Sequence, residues 1–110
     1  GGGEGGGGET EYTITFERSG ESSASDSITI NIGGVDMETP PGVGESSDYV
    51  YSSESDSVTI VFVHGEMSLS IVDLLDVTDT TEFSGESGET TGEIQFDEGA
   101  TSGTIIFSTD

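Results

Sequence analysis

Lysine is absent from this chain, and a single arginine, Arg18, stands against 23 aspartate and glutamate residues, so that the formal net charge is -22 over 110 residues. Such a surface repels itself at low ionic strength and opposes the compact state. Salt relieves the repulsion, because the Debye length falls to about 3 Å near 1 M. The composition therefore predicts a protein of a halophile. It also excludes direct binding to nucleic-acid phosphates, which needs a positive surface, and argues against docking on anionic lipid headgroups.

Cysteine is missing as well, which excludes disulfides, zinc–thiolate sites and cysteine nucleophiles. No apolar run reaches the ~18 residues that would span a bilayer. We therefore predict no membrane insertion by this chain, and we expect that any signal peptide or anchor was removed before Gly1. The serine-hydrolase motif G-x-S-x-G does not occur, and the density of acids makes any one carboxylate pair uninformative about catalysis. We predict a protein that is not an enzyme and requires no cofactor.

Apolar residues alternate with polar ones in most of the chain, and this period of two indicates β-strands. The alternating sets are Tyr12, Ile14 and Phe16; Ile28, Ile30 and Ile32; Val58, Ile60 and Phe62; Ile94 and Phe96; and Ile105 and Phe107. Val61 and Val63 add a second apolar face to the third set, which predicts a central strand buried on both sides. For residues 67–77 we expect a strand, either alone or followed by a short helix. The pattern predicts seven or eight strands in an antiparallel β-sandwich, immunoglobulin-like or jelly-roll-like.

Residues 1–10, GGGEGGGGET, form a glycine-rich stretch that predicts a flexible arm or tether ahead of one β-domain at 11–110. The first strand of that domain contains Tyr12, Thr13, Ile14, Thr15 and Phe16. A short, strongly β-forming segment on a flexible arm has two uses. It either completes its own sheet or augments the open edge of a neighbour's sheet.

Carboxylates offer the remaining candidate site. Asp73, Asp76 and Asp79 recur every three residues, and a loop at 33–47 with its flanks adds four more acids. Calcium needs six to eight oxygen ligands, but no EF-hand loop is present. These residues form either one calcium site or, as we favour, a solvated surface that gathers alkali cations diffusely. The only histidine, His64, is either a general base or metal ligand or simply the polar tip of a strand end.

Two segments resemble known proteins. GGGEGGGGETEYTITFE resembles the mature N-terminal region of haloarchaeal surface lipoproteins, which carry a glycine- and glutamate-rich tether between a lipidated cysteine and a small β-domain. SSESDSVTIVFVHGEMSLSIVDL is similar, more loosely, to the globular β-domain of haloarchaeal type IV pilins. This chain has neither the lipidated cysteine nor the long apolar helix through which those pilins polymerise. The resemblances imply an archaeal setting, extracellular or at the cell surface.

Together these observations predict a structural protein: a subunit of a surface filament or other surface assembly, and hence a homo-oligomer or homopolymer. Residues 11–17 of one subunit would pair with an open sheet edge of the next. The alternative is a monomeric, tethered lipoprotein-type surface domain that binds a solute or a cation. A secreted enzyme is a third interpretation, which the missing motifs disfavour.

Overall fold

The computed structural model describes residues 8–23 and 27–110, and within those ranges it contains strands and no helix. The strands are β1 (Thr10–Gly20), β2 (Thr29–Ile32), β3 (Val35–Asp36), β4 (Ser46–Ser53), β5 (Ser57–Val63), β6 (Leu69–Leu75), β7 (Val77–Ser84), β8 (Glu89–Phe96) and β9 (Ser102–Thr109). None of the described segments is a helix long and apolar enough to cross a membrane.

The strands form two sheets that pack face to face. One sheet has four strands in the order β4-β1-β9-β6, and the other has five in the order β3-β2-β5-β8-β7. Every pairing is antiparallel except that of β1 with β9, which is parallel. The prediction of an all-β fold is confirmed, but the prediction of purely antiparallel pairing is wrong. The reason is that β1 and β9 are joined by the whole intervening chain, so no hairpin fixes their relative direction.

The core lies between the sheets, and the period-two residues fill it. Tyr12, Ile14 and Phe16 point inward from β1 and meet buried isoleucine, phenylalanine and valine side chains from β2, β5, β7, β8 and β9. The Phe62 ring has its centroid 6.1 Å from that of Phe16 and 4.9 Å from that of Phe107. One apolar layer therefore holds the two sheets together.

Residues 67–77, expected to form a strand alone or a strand followed by a short helix, contain the strand β6, the first residue of β7 and no helix. The described residues hold nine strands rather than seven or eight. A register shift between Ile71 and Asp73 marks a β-bulge, which returns Leu74 to the inward face that Ile71 occupies. Because of this extra residue, Ile71 and Leu74 face inward three positions apart, which is the spacing of a helical turn. Asp76, with a left-handed φ of 63°, then turns the chain from one sheet into the other.

Strand β5 is central in its sheet, as predicted, but only one of its faces is buried. Ile60 and Phe62 are completely buried, whereas Val63 is 38% exposed. No further layer of described residues covers the outer face of that sheet. The expectation of burial on both sides is therefore wrong.

Most of the predicted tether, residues 1–10, lies outside the described residues. Gly8 and Glu9 are exposed, and Thr10 already belongs to β1.

Candidate functional site

The five residues predicted to act in assembly lie on one strand in the middle of its own sheet. In β1, residues 10–17 pair with β4 and residues 13–20 pair with β9. Ile14 and Phe16 are completely buried and Tyr12 is 7% exposed, while Thr13 and Thr15 lie on the outer face. Both edges of β1 are thus in use within one chain. A copy of β1, from this chain or from another subunit, would occupy the slot between β4 and β9.

An aromatic cluster closes one end of this slot. The Tyr12 ring stacks on Phe96 at 4.6 Å and lies 5.7 Å from Tyr51, which in turn lies 5.8 Å from Tyr49. The Tyr51 hydroxyl is buried, and no described residue offers it a hydrogen bond. Burial, and secondarily the neighbouring Tyr12 and Tyr49, raises the pKa of Tyr51 to about 12. The phenol therefore stays neutral at any pH near 7.

A groove opens beside β4, where the edges of the two sheets face solvent. It measures about 620 Å³ and is lined by residues 35–39 and 47–50. Val35 and Val50 flank it and are 54% and 53% exposed, whereas Met37 is buried. We name the outer edge of β4 together with this groove the β4 flank. Its size falls in the range of ligand sites, about 300–1,000 Å³.

Arg18 anchors the opposite end of β1 and is itself buried, with 3% exposure. Its Nε donates to Thr109 Oγ1 at 2.9 Å, and its Nη1 donates to the Pro41 carbonyl at 3.1 Å. Nη2 donates to Ser22 Oγ at 3.3 Å and approaches the Met67 sulfur at 3.6 Å. One guanidinium thus joins four separate segments. Sequence reasoning missed this role, although Arg18 continues the inward parity of Tyr12, Ile14 and Phe16.

His64 is 9% exposed, and both of its ring nitrogens are hydrogen-bonded. Nδ1 lies 2.6 Å from the Met67 carbonyl and must carry the proton, because a carbonyl oxygen can only accept. Nε2 lies 2.9 Å from Thr90 Oγ1, whose hydroxyl donates when the ring is neutral. A metal or a substrate proton would have to displace one of these bonds. The geometry is that of a brace between β5, β8 and the turn before β6.

The three aspartates of the candidate cation site lie on different elements. Asp73 is on β6, where its Oδ1 accepts from the Leu74 N–H at 2.8 Å; Asp76 is at the corner; and Asp79 is on β7 in the other sheet. Among residues 8–23 and 27–110, no group of three or more histidine, aspartate or glutamate side chains could hold a metal ion. Both alternatives for Asp73, Asp76 and Asp79 stay predictions: the favoured solvated surface that gathers cations diffusely, and one ordered calcium site.

Three of the four acids in and beside the long loop accept a local hydrogen bond. Asp36 accepts from the Asn31 side-chain amide at 2.9 Å, Glu45 from the Gly42 N–H at 3.0 Å, and Asp48 from the Thr15 hydroxyl at 2.8 Å. These contacts fix the loop and the β1–β4 pairing. They give the carboxylates structural roles without bringing them together.

Comparison of the chain with protein families, with characterised proteins and with solved structures yields no match. The class is therefore defined by the fold alone: an all-β protein of two packed sheets.

Proposed function

We propose that this chain is a structural subunit of an extracellular or cell-surface assembly in a salt-rich, archaeal setting, and that it has no catalytic role. For the fold type we propose an immunoglobulin-like or jelly-roll-like sandwich, because consecutive strands pass repeatedly between the two sheets. The exposed acidic residues suit a protein that works in brine. His64 lines a pocket with Ser22, Glu66 and Asp110, but both of its ring nitrogens are engaged by Met67 and Thr90, which disfavours acid–base chemistry there.

The observation that carries the proposal is the position of β1. This strand supplies three core residues, is paired along both edges, and enters from a glycine-rich segment. An identical strand from a neighbouring subunit fits the same slot, so that exchange would cost no pairing. Head-to-tail exchange of this kind propagates into a fibre when the rotation between subunits does not close.

A cysteine pair tests the exchange, because the natural chain has no cysteine. Thr15 and Asp48 are direct partners on β1 and β4 and already share a hydrogen bond. In the Thr15→Cys/Asp48→Cys variant, oxidation at low protein concentration should lock β1 into its own sheet. We expect fibres from the reduced protein in molar KCl, seen by negative-stain electron microscopy, and monomers from the locked protein.

The matched control is Val61→Cys/Thr91→Cys, which joins β5 to β8 and leaves β1 free. Its oxidised form should assemble as the natural chain does. Fibres from the locked Thr15→Cys/Asp48→Cys protein, or a natural chain that stays near 11.3 kDa in molar salt, would contradict the exchange.

The second candidate function is a monomeric, tethered surface domain that binds a solute or a cation. The groove at the β4 flank favours this interpretation, because its volume of about 620 Å³ is that of a ligand site. A cation bound only by the folded state raises the melting temperature with the logarithm of its concentration. Calcium added against a molar KCl background, with Asp73→Asn/Asp79→Asn as the comparison, tests the cation version.

A further inference from the structure

Four strands lie at the sheet edges: β4 and β6 in one sheet, β3 and β7 in the other. An exposed edge pairs with other chains unless it is short, bulged or charged. β3 has two residues, and β6 carries its bulge between Ile71 and Asp73. The register of β7 shifts twice, between Asp79 and Thr81 and between Thr81 and Ser84. Three of the four edges are therefore interrupted.

The edge of β4 has none of these interruptions. Its eight residues pair with β1 in one continuous register, contain no proline or glycine and include one carboxylate, Asp48. Within the part of the chain that the structure describes, no strand covers its outer edge. The half-exposed Val50 lies in the middle of it. A strand with this composition is a template for one more strand.

We propose that β4 pairs antiparallel with β4 of a second copy, about a two-fold axis at Val50, so that two four-stranded sheets become one of eight. In this register Val50 faces Val50, Tyr49 faces Tyr51, and Asp48 faces Ser52. No carboxylate lies opposite another, and the Ser52 hydroxyl can donate to Asp48. In a register one step earlier, with Tyr49 facing itself, Asp48 would lie opposite Val50. Its charged carboxylate would then be held beside an apolar side chain, which is unfavourable.

The groove of the β4 flank fits the same partner. In the proposed register, residues 47–50 of one copy lie opposite residues 50–53 of the other, so that Asp36 and Glu38 meet a stretch of valine, tyrosine and serine. The added strand would cover Val35 and Val50, the exposed valines of this flank. Molar salt removes the long-range repulsion between two copies of charge -22. A second copy is therefore the occupant that both the edge and the groove select.

This contact supplies a lateral interface for the assembly and rests on the proposed function for its use. A cysteine at the axis tests it directly in the full chain. Opposed residues in an antiparallel pair have Cα atoms about 4.5–5.5 Å apart, within the disulfide range of about 4.4–6.8 Å. Val50→Cys should therefore crosslink to itself under mild oxidation in molar KCl. Val72→Cys is the control, because Val72 is similarly exposed, 59%, and lies on β6. We expect crosslinking at least about tenfold faster for Val50→Cys, read from non-reducing gels.

A charge pair provides the second measurement. Val50→Asp places two carboxylates face to face at the axis and should abolish the lateral dimer, whereas Val72→Asp should leave it intact; sedimentation in molar KCl reports both. Equal crosslinking of the two cysteine variants, or equal sedimentation of the two aspartate variants, overturns the β4 pairing and leaves the edge for a segment of a different protein.

The two proposals fail separately. Fibres that form as well from Val50→Asp as from the natural chain retain the β1 exchange and remove the β4 contact from the assembly. A Val50→Cys dimer without any fibre retains the β4 pairing and removes the exchange.

Discussion

Arg18 and Tyr51 are polar side chains that both point between the sheets, yet their surroundings differ. The guanidinium donates to Thr109, Pro41 and Ser22 and is well satisfied. The phenol hydroxyl is buried and finds no partner among the described residues. A buried polar group without a hydrogen bond costs free energy, whereas a satisfied one specifies its neighbours. Arg18 should therefore stabilise the fold, and the Tyr51 hydroxyl should not.

Replacing Arg18 should destabilise the protein strongly. Arg18→Ala removes the donor to the buried Pro41 carbonyl and the bond to Thr109, and should lower the free energy of unfolding by about 1–3 kcal/mol. Arg18→Lys should recover only part of this loss, because an ammonium group cannot reproduce the planar arrangement of N–H donors on the guanidinium. Urea unfolding in molar KCl measures both, and Glu17→Ala on the exposed face of β1 is the control. An Arg18→Lys variant as stable as the natural chain would contradict the role assigned to the Arg18 guanidinium.

Tyr51→Phe should leave the stability at neutral pH unchanged or raise it, because it removes the unpartnered hydroxyl while it keeps the ring. It should also flatten the alkaline stability profile. The pKa of Tyr51 is raised from 10.0 to about 12 in the folded state. As the pH rises, the unfolded state therefore loses this proton first. The contribution of Tyr51 to the free energy of unfolding is complete below pH 10 and is lost between about pH 10 and 12.

Urea unfolding across that alkaline range, on the natural chain and on Tyr51→Phe, isolates this contribution by subtraction. Parallel profiles for the two proteins would show that the Tyr51 hydroxyl does not experience the burial described for it.

At the scale of elements, close contacts at glycine fix how strands meet. The Phe83 ring on β7 lies over Gly92 on β8, where an added Cβ would come within 2.6 Å of it. Similarly, Val77 packs over Gly103 on β9, 2.5 Å from where a Cβ would stand. In both places a bulky side chain of β7 covers a glycine. β7 is thus held against both sheets although its register is interrupted.

Gly92→Ala should destabilise the protein by about 1–3 kcal/mol, because the new methyl group displaces the Phe83 ring. The cost should disappear in a Phe83→Ala background, where the methyl group has room. Thermal unfolding of the natural chain, the two single variants and the double variant completes a double-mutant cycle, which measures the interaction between Gly92 and Phe83. Additive effects would mean that Gly92 matters for a reason other than the ring.

The strands β1, β5, β8 and β9 could be predicted from the sequence because alternation of apolar and polar residues survives in each of them. The bulge after Ile71 could not, because no glycine or proline marks it and its signature matches a helical turn. The parallel pairing of β1 with β9 is also invisible locally, since it joins residues some 90 positions apart. The groove at the β4 flank and the contacts of Arg18 depend on that same pairing. From the sequence, the alternation of Tyr12, Ile14 and Phe16 predicts only that the Arg18 side chain points inward.

For the whole molecule, the decisive property is where the acids lie. Every carboxylate that the structure describes is exposed except that of Glu93, which is half-buried. The described carboxylates therefore form a negatively charged shell around an interior that holds the buried guanidinium of Arg18. Folding brings these charges together, and the free energy of doing so depends on the ionic strength.

The fold should therefore require salt. At ~10 mM salt, where the Debye length is about 30 Å, we expect loss of the β signal in circular dichroism, and at molar KCl its cooperative return. Lowering the pH toward the sequence pI of about 4.1 should partly substitute for salt, since protonation also removes the repulsion. Sucrose, which is excluded from protein surfaces but does not screen charge, is the control. A cooperative β fold that persists unchanged in dilute buffer would contradict the halophilic interpretation.

The parallel pairing of β1 with β9 has a mechanical consequence. The two strands start at the same end of the sheet, so the chain enters β1 at one pole of the sandwich and leaves β9 at the other. Tension applied between the two poles pulls these neighbours in opposite directions along their shared ladder, from Thr13 beside Ser102 to Gly20 beside Thr109. Their hydrogen bonds are then loaded in shear and must yield together, whereas a hairpin unzips one bond at a time. Units strung end to end through these strands would resist stretching.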